Sequence, residues 1–170
     1  MSAPLKLRRT DRQLTDEEAW VFLERSFVGR LATVSADGEP YVVPLLFVVA
    51  GRRVQLHQTA ARGHLRANVE GGARACFEVD SAGDVFAYGP TECDSSVSYE
   101  SVIAFGRIAV VEDPGERRRF CERLLAKYGA ALTGRPKGVF PRLPLIAVYE
   151  LDIDRITGKR LPAPGTPTRG

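Results

Sequence analysis

Apolar and polar positions change period several times along the chain, and each change marks an element. Thr15-Asp16-Glu17-Glu18 is a capping box, in which the Thr15 hydroxyl and the Glu18 carboxylate satisfy free backbone N–H groups reciprocally. Ala19, Trp20, Leu23 and Phe27 follow at helical spacing, which predicts a helix to about residue 27 with those four side chains inward. After Gly29 the period shortens to that of strands. Residues 30–35 form one, the Asp37-Gly38 pair turns the chain, and residues 41–49 form a second that contains Pro44. Proline donates nothing to a ladder, so Pro44 must lie at an edge, at a bulge or beside something other than a strand. Residues 53–57 predict a third strand. Residues 59–69 predict a short helix with Leu65 and Val69 inward and Gly71-Gly72 as its stop.

Residues 73–79 and 85–88 read as strands separated by a turn at 81–84, and a loop over 89–97 leads into a long strand at 98–111. Asp113-Pro114 starts a second strong helix, whose stripe is Phe120, Cys121, Leu124, Leu125 and Tyr128 and whose stop is Gly129. A proline- and glycine-bearing loop over 131–144 precedes a last strand at 145–153. Seven short strands joined mostly by hairpins predict a mainly β (α+β) fold: an antiparallel barrel with helices packed against its ends. One domain over 13–156, with tails at 1–12 and 157–170, accounts for all 170 residues.

Composition narrows the function. A hydrophobic share of 44% and a charged share of 26% are ordinary for a globular domain. No apolar run reaches the length of a membrane span, and the polar, basic start lacks a secretory pattern. The net charge of +3 is a property of the two ends, residues 1–12 and 154–170, which hold eight of the 24 basic residues and only two of the 21 acidic ones. The body is slightly acidic, which gives no case for nucleic acid. Cys76, Cys93 and Cys121 are odd in number and lack metal-ligand spacing, so no disulfide framework, no metal site and a reducing, cytoplasmic setting are expected. Cys76 and Cys121 read as core residues.

Candidate chemistry concentrates between residues 54 and 68. If a helix starts at Thr59, its free N–H groups, the Thr59 hydroxyl, the Arg62 guanidinium and the accommodating Gly63 form an anion cradle, with His64 beside it. An ordinary capped surface helix with solvated basic residues is the competing reading. His57 stands two residues before the cradle; it is either a hydrogen-bonded structural residue or a catalytic one within reach of whatever the cradle anchors.

Several stretches resemble one family. GRLATVSADGEPYVVPL at 29–45 is similar to the opening hairpin of the pyridoxamine 5′-phosphate oxidase-like FMN-binding split barrels. LHQTAARGHL at 56–65 with ACFEV at 75–79 resembles that family's phosphate turn and following strand. SYESVIAFGR at 98–107 and ITGK at 156–159 resemble its nitroimidazole-reductase-like branch. The resemblance implies a homodimer with FMN at the subunit interface, a deazaflavin or haem being the alternative cofactors. It implies a flavin ring along Val43, Pro44 and Leu45, its phosphate at Thr59, Arg62, Gly63 and His64, and Tyr99 and Ser101 approaching from the other subunit. His57 matches a histidine that this branch places beside the flavin, where it would position an acceptor or supply a proton. Many relatives carry lysine in place of His64, and the C-terminal arginine pattern of true pyridoxamine phosphate oxidases is not evident. The implied activity is transfer of electrons from a donor such as a nicotinamide to a small electron-poor acceptor such as a nitroaromatic or quinone; a non-catalytic flavin or haem binder is the alternative.

Overall fold

The structure, a computed structural model, describes residues 8–70, 72 and 74–165. Gly71 and Ala73, named above at a helix end and a strand start, lie outside the described residues, as do the outer parts of both tails.

Helix α1 spans Asp16–Arg25 and is capped as its sequence predicts: the Glu18 N–H donates to Thr15 Oγ1 at 3.2 Å, and the Thr15 N–H donates to Glu18 Oε2 at 2.9 Å. It ends earlier than the periodicity suggests. Ser26 turns extended, with its hydroxyl donating to the Phe22 carbonyl at 2.7 Å. Phe22 therefore takes the core position expected of Phe27, which is left 70% exposed.

Strands β1 (Gly29–Val34) and β2 (Pro40–Leu45) form the expected hairpin, closed by the Ser35 N–H to the Glu39 carbonyl and by Gly38 at φ 91°. The apolar run after Tyr41 is divided at Leu46 into β2 and β3 (Phe47–Ala50). Next come β4 (Arg53–Thr59), α2 (His64–Glu70), β5 (Arg74–Ala87), β6 (Ser95–Val110), α3 (Pro114–Tyr128) and β7 (Ile146–Leu161), with single 3-10 turns at Thr10–Arg12, Gly129–Ala131 and Leu143–Leu145.

All seven strands form one sheet in the order β2-β1-β5-β6-β7-β4-β3, with every pairing antiparallel. Its two edges, β2 and β3, are consecutive in sequence and joined through Leu46 alone. The sheet must therefore curl until its edges nearly meet, which makes a barrel split between β2 and β3. Pro44 sits on an edge strand, one of the three positions its chemistry allows. Pro40 and Pro44 share a parity, so both missing N–H groups can face the open edge without costing a bond to β1.

Three expectations are corrected. The turn read at 81–84 is a bulge between Ala82 and Val85 inside one long strand, because β6 offers a continuous partner and Gly83 fits where a Cβ would lie 2.4 Å from Ser98 Oγ. The last strand continues to Leu161, so residues 157–161 pair with β6 rather than beginning a tail. Gly106 permits that β6–β7 ladder, since a Cβ there would lie 1.9 Å from the Asp152 carbonyl. Third, α3 does not close a barrel end. The inward faces of the strands meet Leu23 of α1 and Leu65 and Val69 of α2 in the main core. Helix α3 instead lies on the outside, over Val48 and Val148, where Phe120 and Cys121 build a second, smaller core.

Candidate functional site

Strand β4 runs directly toward the predicted site, and its alternation decides what the site contains. Val54 and Leu56 enter the main core, while Gln55, His57 and Thr59 share the opposite face. Thr59 remains in the strand, paired with Ile146, and the Ala60 N–H extends the ladder to the Leu145 carbonyl. The β-branched Thr59 thus belongs to a sheet and not to a helix start. The helix begins at His64, with Gly63 accepting the Ala67 N–H.

Residues 59–64 are all exposed. A Cβ at Gly63 would meet nothing within 4 Å, so open space lies over the turn. Arg62 is 76% exposed and among the described residues holds only Glu70, at 3.2 Å; the same carboxylate is held more closely by Arg66, at 2.6 Å. An exposed pair of this kind costs little to break. The turn is fixed in place by its helix: the buried Asn68 amide donates to Thr33 Oγ1 at 2.9 Å, which ties α2 to β1.

The turn also meets the edge strand. The His64 ring lies 5.5 Å from that of Tyr41, which has the inward parity of Val43 and Leu45. Those two side chains pack against the main core, whereas Pro44 faces outward. Tyr41 was not among the residues singled out from sequence. Its signal was available: it precedes Val43 by two and so shares its side of the strand.

His57 lies under α3, half-buried, with its ring 5.4 Å from Phe120. Burial pushes its pKa below the ordinary value, so the imidazole is neutral at pH 7. Its Nδ1 is buried without a hydrogen-bond partner among the described residues. Two residues back, Gln55 is completely buried and fully engaged. Its amide donates to Glu116 at 2.9 Å and Glu150 at 2.7 Å, and its oxygen accepts from Arg123 at 2.8 Å. Hydrogen bonds from Arg123 and Gln55 hold the Glu116 carboxyl down to about 2.

Tyr99 and Ser101 stand apart from this group. They lie on β6, three strands and so about 14 Å from β2 across the sheet. Ser101 pairs with Asp80 and Lys159, and Tyr99 lines a cleft beyond the end of α1. Between the two groups runs the outer sheet face, where Ala32, Cys76 and Phe105 stand in register on neighbouring strands. Val34, Val42 and Ile103 on the same face are exposed. Cys76 is thus half-buried on the outside and not in the core, Cys121 is buried as expected, and Cys93 is exposed. Among the described residues no cluster of His, Cys, Asp or Glu could hold a metal ion, and no helix is long and apolar enough to cross a membrane.

The residues present fit an anionic ligand with a partly apolar body: an exposed, loosely held guanidinium, an uncrowded glycine turn, an aromatic pair at a proline-bearing edge and an orphaned imidazole nitrogen. No curated protein matches the sequence. Among solved structures, a candidate 5-nitroimidazole antibiotic resistance protein from Bacteroides thetaiotaomicron is similar at 19% identity and TM-score 0.71, over 86% of this chain and 85% of that one. A flavocytochrome from Azotobacter vinelandii is similar at 22% identity and TM-score 0.73, over 94% of this chain and 73% of that one. An FAD- and haem-binding protein from Mycobacterium smegmatis is similar at 25% identity and TM-score 0.70, over 94% and 77%. The family model for pyridoxamine 5′-phosphate oxidase matches residues 15–160. With nearly the whole folded chain covered and the split barrel in place, the protein belongs to the pyridoxamine 5′-phosphate oxidase-like, flavin-binding family.

Proposed function

We propose that the protein is an FMN-dependent oxidoreductase that works as a homodimer in a reducing, cytoplasmic setting and passes electrons from a small-molecule donor to a small electron-poor acceptor such as a nitroaromatic or quinone. The observation that carries this reading is the junction of the Arg62–His64 turn with the β2 edge through the Tyr41–His64 ring pair. It joins a turn whose exposed guanidinium suits an anion to an apolar, proline-bearing strand, which suits a cofactor with a phosphate at one end and a planar ring at the other. When bound, the flavin supplies the redox chemistry.

In this reading the chain's own residues bind and orient. Arg62 exchanges Glu70 for the phosphate, Gly63 lets the backbone approach, and the Thr59 hydroxyl and His64 imidazole donate further hydrogen bonds. Val43, Pro44 and Leu45 flank the ring. Tyr99 and Ser101 are too far along the sheet to join within one chain, so they complete the site of a second copy. The outer face bearing Ala32, Val42 and Ile103, with the Arg30–Glu78–Asp80 ion pairs between β1 and β5 and Arg155 over Phe105, is the mixed apolar and charged surface on which that copy would dock. His57, neutral and with a free Nδ1, positions the acceptor or holds a proton for it.

A second reading, a binder that holds haem, is favoured by one feature: His57 is a neutral imidazole with an unengaged Nδ1, and imidazole is a common ligand of haem iron. The visible spectrum of the purified protein separates the two. A yellow chromophore released by denaturation supports flavin, a Soret band supports haem, and a monomer by light scattering at micromolar concentration would overturn the shared-site arrangement. Turnover of a donor and acceptor pair is expected for the enzyme and absent for a binder.

A further inference from the structure

A cavity of about 560 Å³ opens between the flank of α3 and the loop over residues 132–140. Two successive arginines of α3 fix that loop. Arg118 Nη2 donates to the Gly138 carbonyl at 2.8 Å, with its guanidinium 5.5 Å from the centre of the Phe140 ring. Arg117 Nη2 donates to the Leu143 and Ile146 carbonyls, each at 2.6 Å. The lining is apolar yet open, since Leu125, Leu132 and Val139 are all exposed. Proteins seldom gather exposed apolar side chains on one concave surface without a ligand or partner to cover them. Val139 and Phe140 also line a second cavity of about 240 Å³, which runs on to Cys121, Leu143 and Ile146. The two make one elongated groove.

The charge of the groove is one-sided. Glu122 is the one carboxylate among the described lining residues, and Arg118 engages it at 3.2 Å. Arg135 and Lys137 line the larger cavity, and among the described residues neither side chain has a partner. Arg142 borders the smaller cavity. Unengaged cations beside an apolar trough match an anion that carries a hydrocarbon body. We propose that the groove binds a single-chain carboxylic acid of medium length. Its carboxylate accepts hydrogen bonds from Arg135 and Lys137, and its tail lies on Leu125, Leu132 and Val139 and passes Phe140 into the smaller cavity. A chain suits that second cavity, whose volume is below what a drug-sized ring system needs. The groove shares no residue with the flavin site described above, and its ligand does not rest on that reading.

The test is calorimetry on the full chain with octanoate, neutral 1-octanol and cationic octyltrimethylammonium. Octanoate is expected to bind about fivefold to tenfold more tightly than the alcohol, and the cation most weakly. From hexanoate to decanoate, each two added carbons should tighten binding about threefold to tenfold, as partly buried methylenes do. The exposed double change Arg135→Gln with Lys137→Gln should cut the margin of octanoate over octanol to about twofold or less, while Val139→Ser should weaken both about equally. Equal binding of the three probes, a margin that survives the double change, or affinity indifferent to chain length would overturn the assignment. So would a lower mass for Val139→Ser by light scattering, which would make the groove an interface between copies. An FMN titration keeps the two readings distinct. Absent FMN binding with the octanoate margin intact sinks the flavin reading alone, and intact FMN binding with no margin sinks the groove alone. Competition between FMN and octanoate would overturn the groove as a separate site.

Discussion

The same face of β4 carries two neighbouring polar side chains that the fold treats oppositely. Gln55 is sealed under α3 with each amide group engaged by Glu116, Glu150 or Arg123. His57, one step along that face, is buried at Nδ1 with nothing to bond, and beyond it Thr59 and Arg62 stand in the open. A buried polar group without a partner costs free energy, and a satisfied network does not. The Gln55 end therefore reads as scaffold. The His57 end carries the kind of unspent bonding capacity that a ligand can use.

The largest expected effect tests that division at His57. In flavin-loaded protein, His57→Ala should slow re-oxidation by a nitroaromatic or quinone roughly 10²-fold while flavin content persists. Stopped-flow decay of the reduced flavin measures it. Gln replaces one hydrogen bond but does not titrate, so rescue by His57→Gln means orientation and failure of rescue means proton transfer. If both variants re-oxidise at the normal rate and only unfold more easily, His57 is packing for Phe120 and the comparison collapses.

The opposite end predicts a loss of stability and no change in chemistry. Glu116→Gln removes the charge on which Arg123, Arg119 and Gln55 converge, at a cost of about 2 kcal/mol. Its pH dependence has a definite sign. Glu116 in the folded protein titrates at about 2, below the ordinary 4.5, so its contribution is complete above pH 4.5 and is lost as pH falls toward 2. Urea unfolding between pH 7 and pH 3 should show a shallower acid decline in Glu116→Gln than in the natural chain. Parallel declines would mean that the network is not what holds α3 down.

Much of this was legible in the residues, for reasons that also explain what was not. The Thr15–Glu18 box, the Asp37-Gly38 turn and the exclusion of Pro44 from the middle of a ladder are local rules, and local rules survive tertiary context. The early end of α1 at Ser26, the bulge at Gly83 and the continuation of β7 to Leu161 depend on what lies across the sheet, which no single stretch encodes. At the site, Arg62, Gly63 and His64 could be singled out along the chain, though as the first turn of a helix and not as the exposed turn that leads into one. The helix start at Thr59 could not survive, because the ladder to Ile146 claims that residue for β4. The Gln55 network was invisible, since Glu116 and Glu150 are distant in sequence.

Arg62 should lose binding without losing stability. Arg62→Ala is expected to weaken FMN about ten- to a hundredfold and riboflavin hardly at all, since only the former carries the phosphate that a charge-assisted contact would recognise. Its exposed pair with Glu70 contributes little, so the unfolding midpoint should stay within about 1 °C. Equal losses for both ligands would move the phosphate elsewhere.

The smallest effect asks whether an orphaned polar atom always signals a use. Lys127, at the far end of α3, has a buried Nζ without a hydrogen-bond partner among the described residues, 3.8 Å over the Phe47 ring. Burial brings its pKa to about 8 from an ordinary 10.5, opposed only weakly by Glu24 on α1. Folding thus disfavours the ammonium. The cost is complete below pH 8 and fades between pH 8 and 10.5, so stability should rise with pH across that window. Lys127→Met keeps the length of the side chain and removes the charge. After the lost cation–π attraction and the solvent that still reaches the side chain are allowed for, it should stabilise the protein at pH 7 by up to about 1 kcal/mol. Thermal unfolding at pH 7 and pH 10.5 decides it. A stabilised variant whose pH-dependent advantage is gone at pH 10.5, with FMN binding unchanged, would make Lys127 a plain structural cost and leave His57 as the orphan with a use. If FMN affinity falls with the charge, the β2–β3 corner beneath Lys127 belongs to the binding end of the molecule, and the division drawn along β4 must be extended around the split.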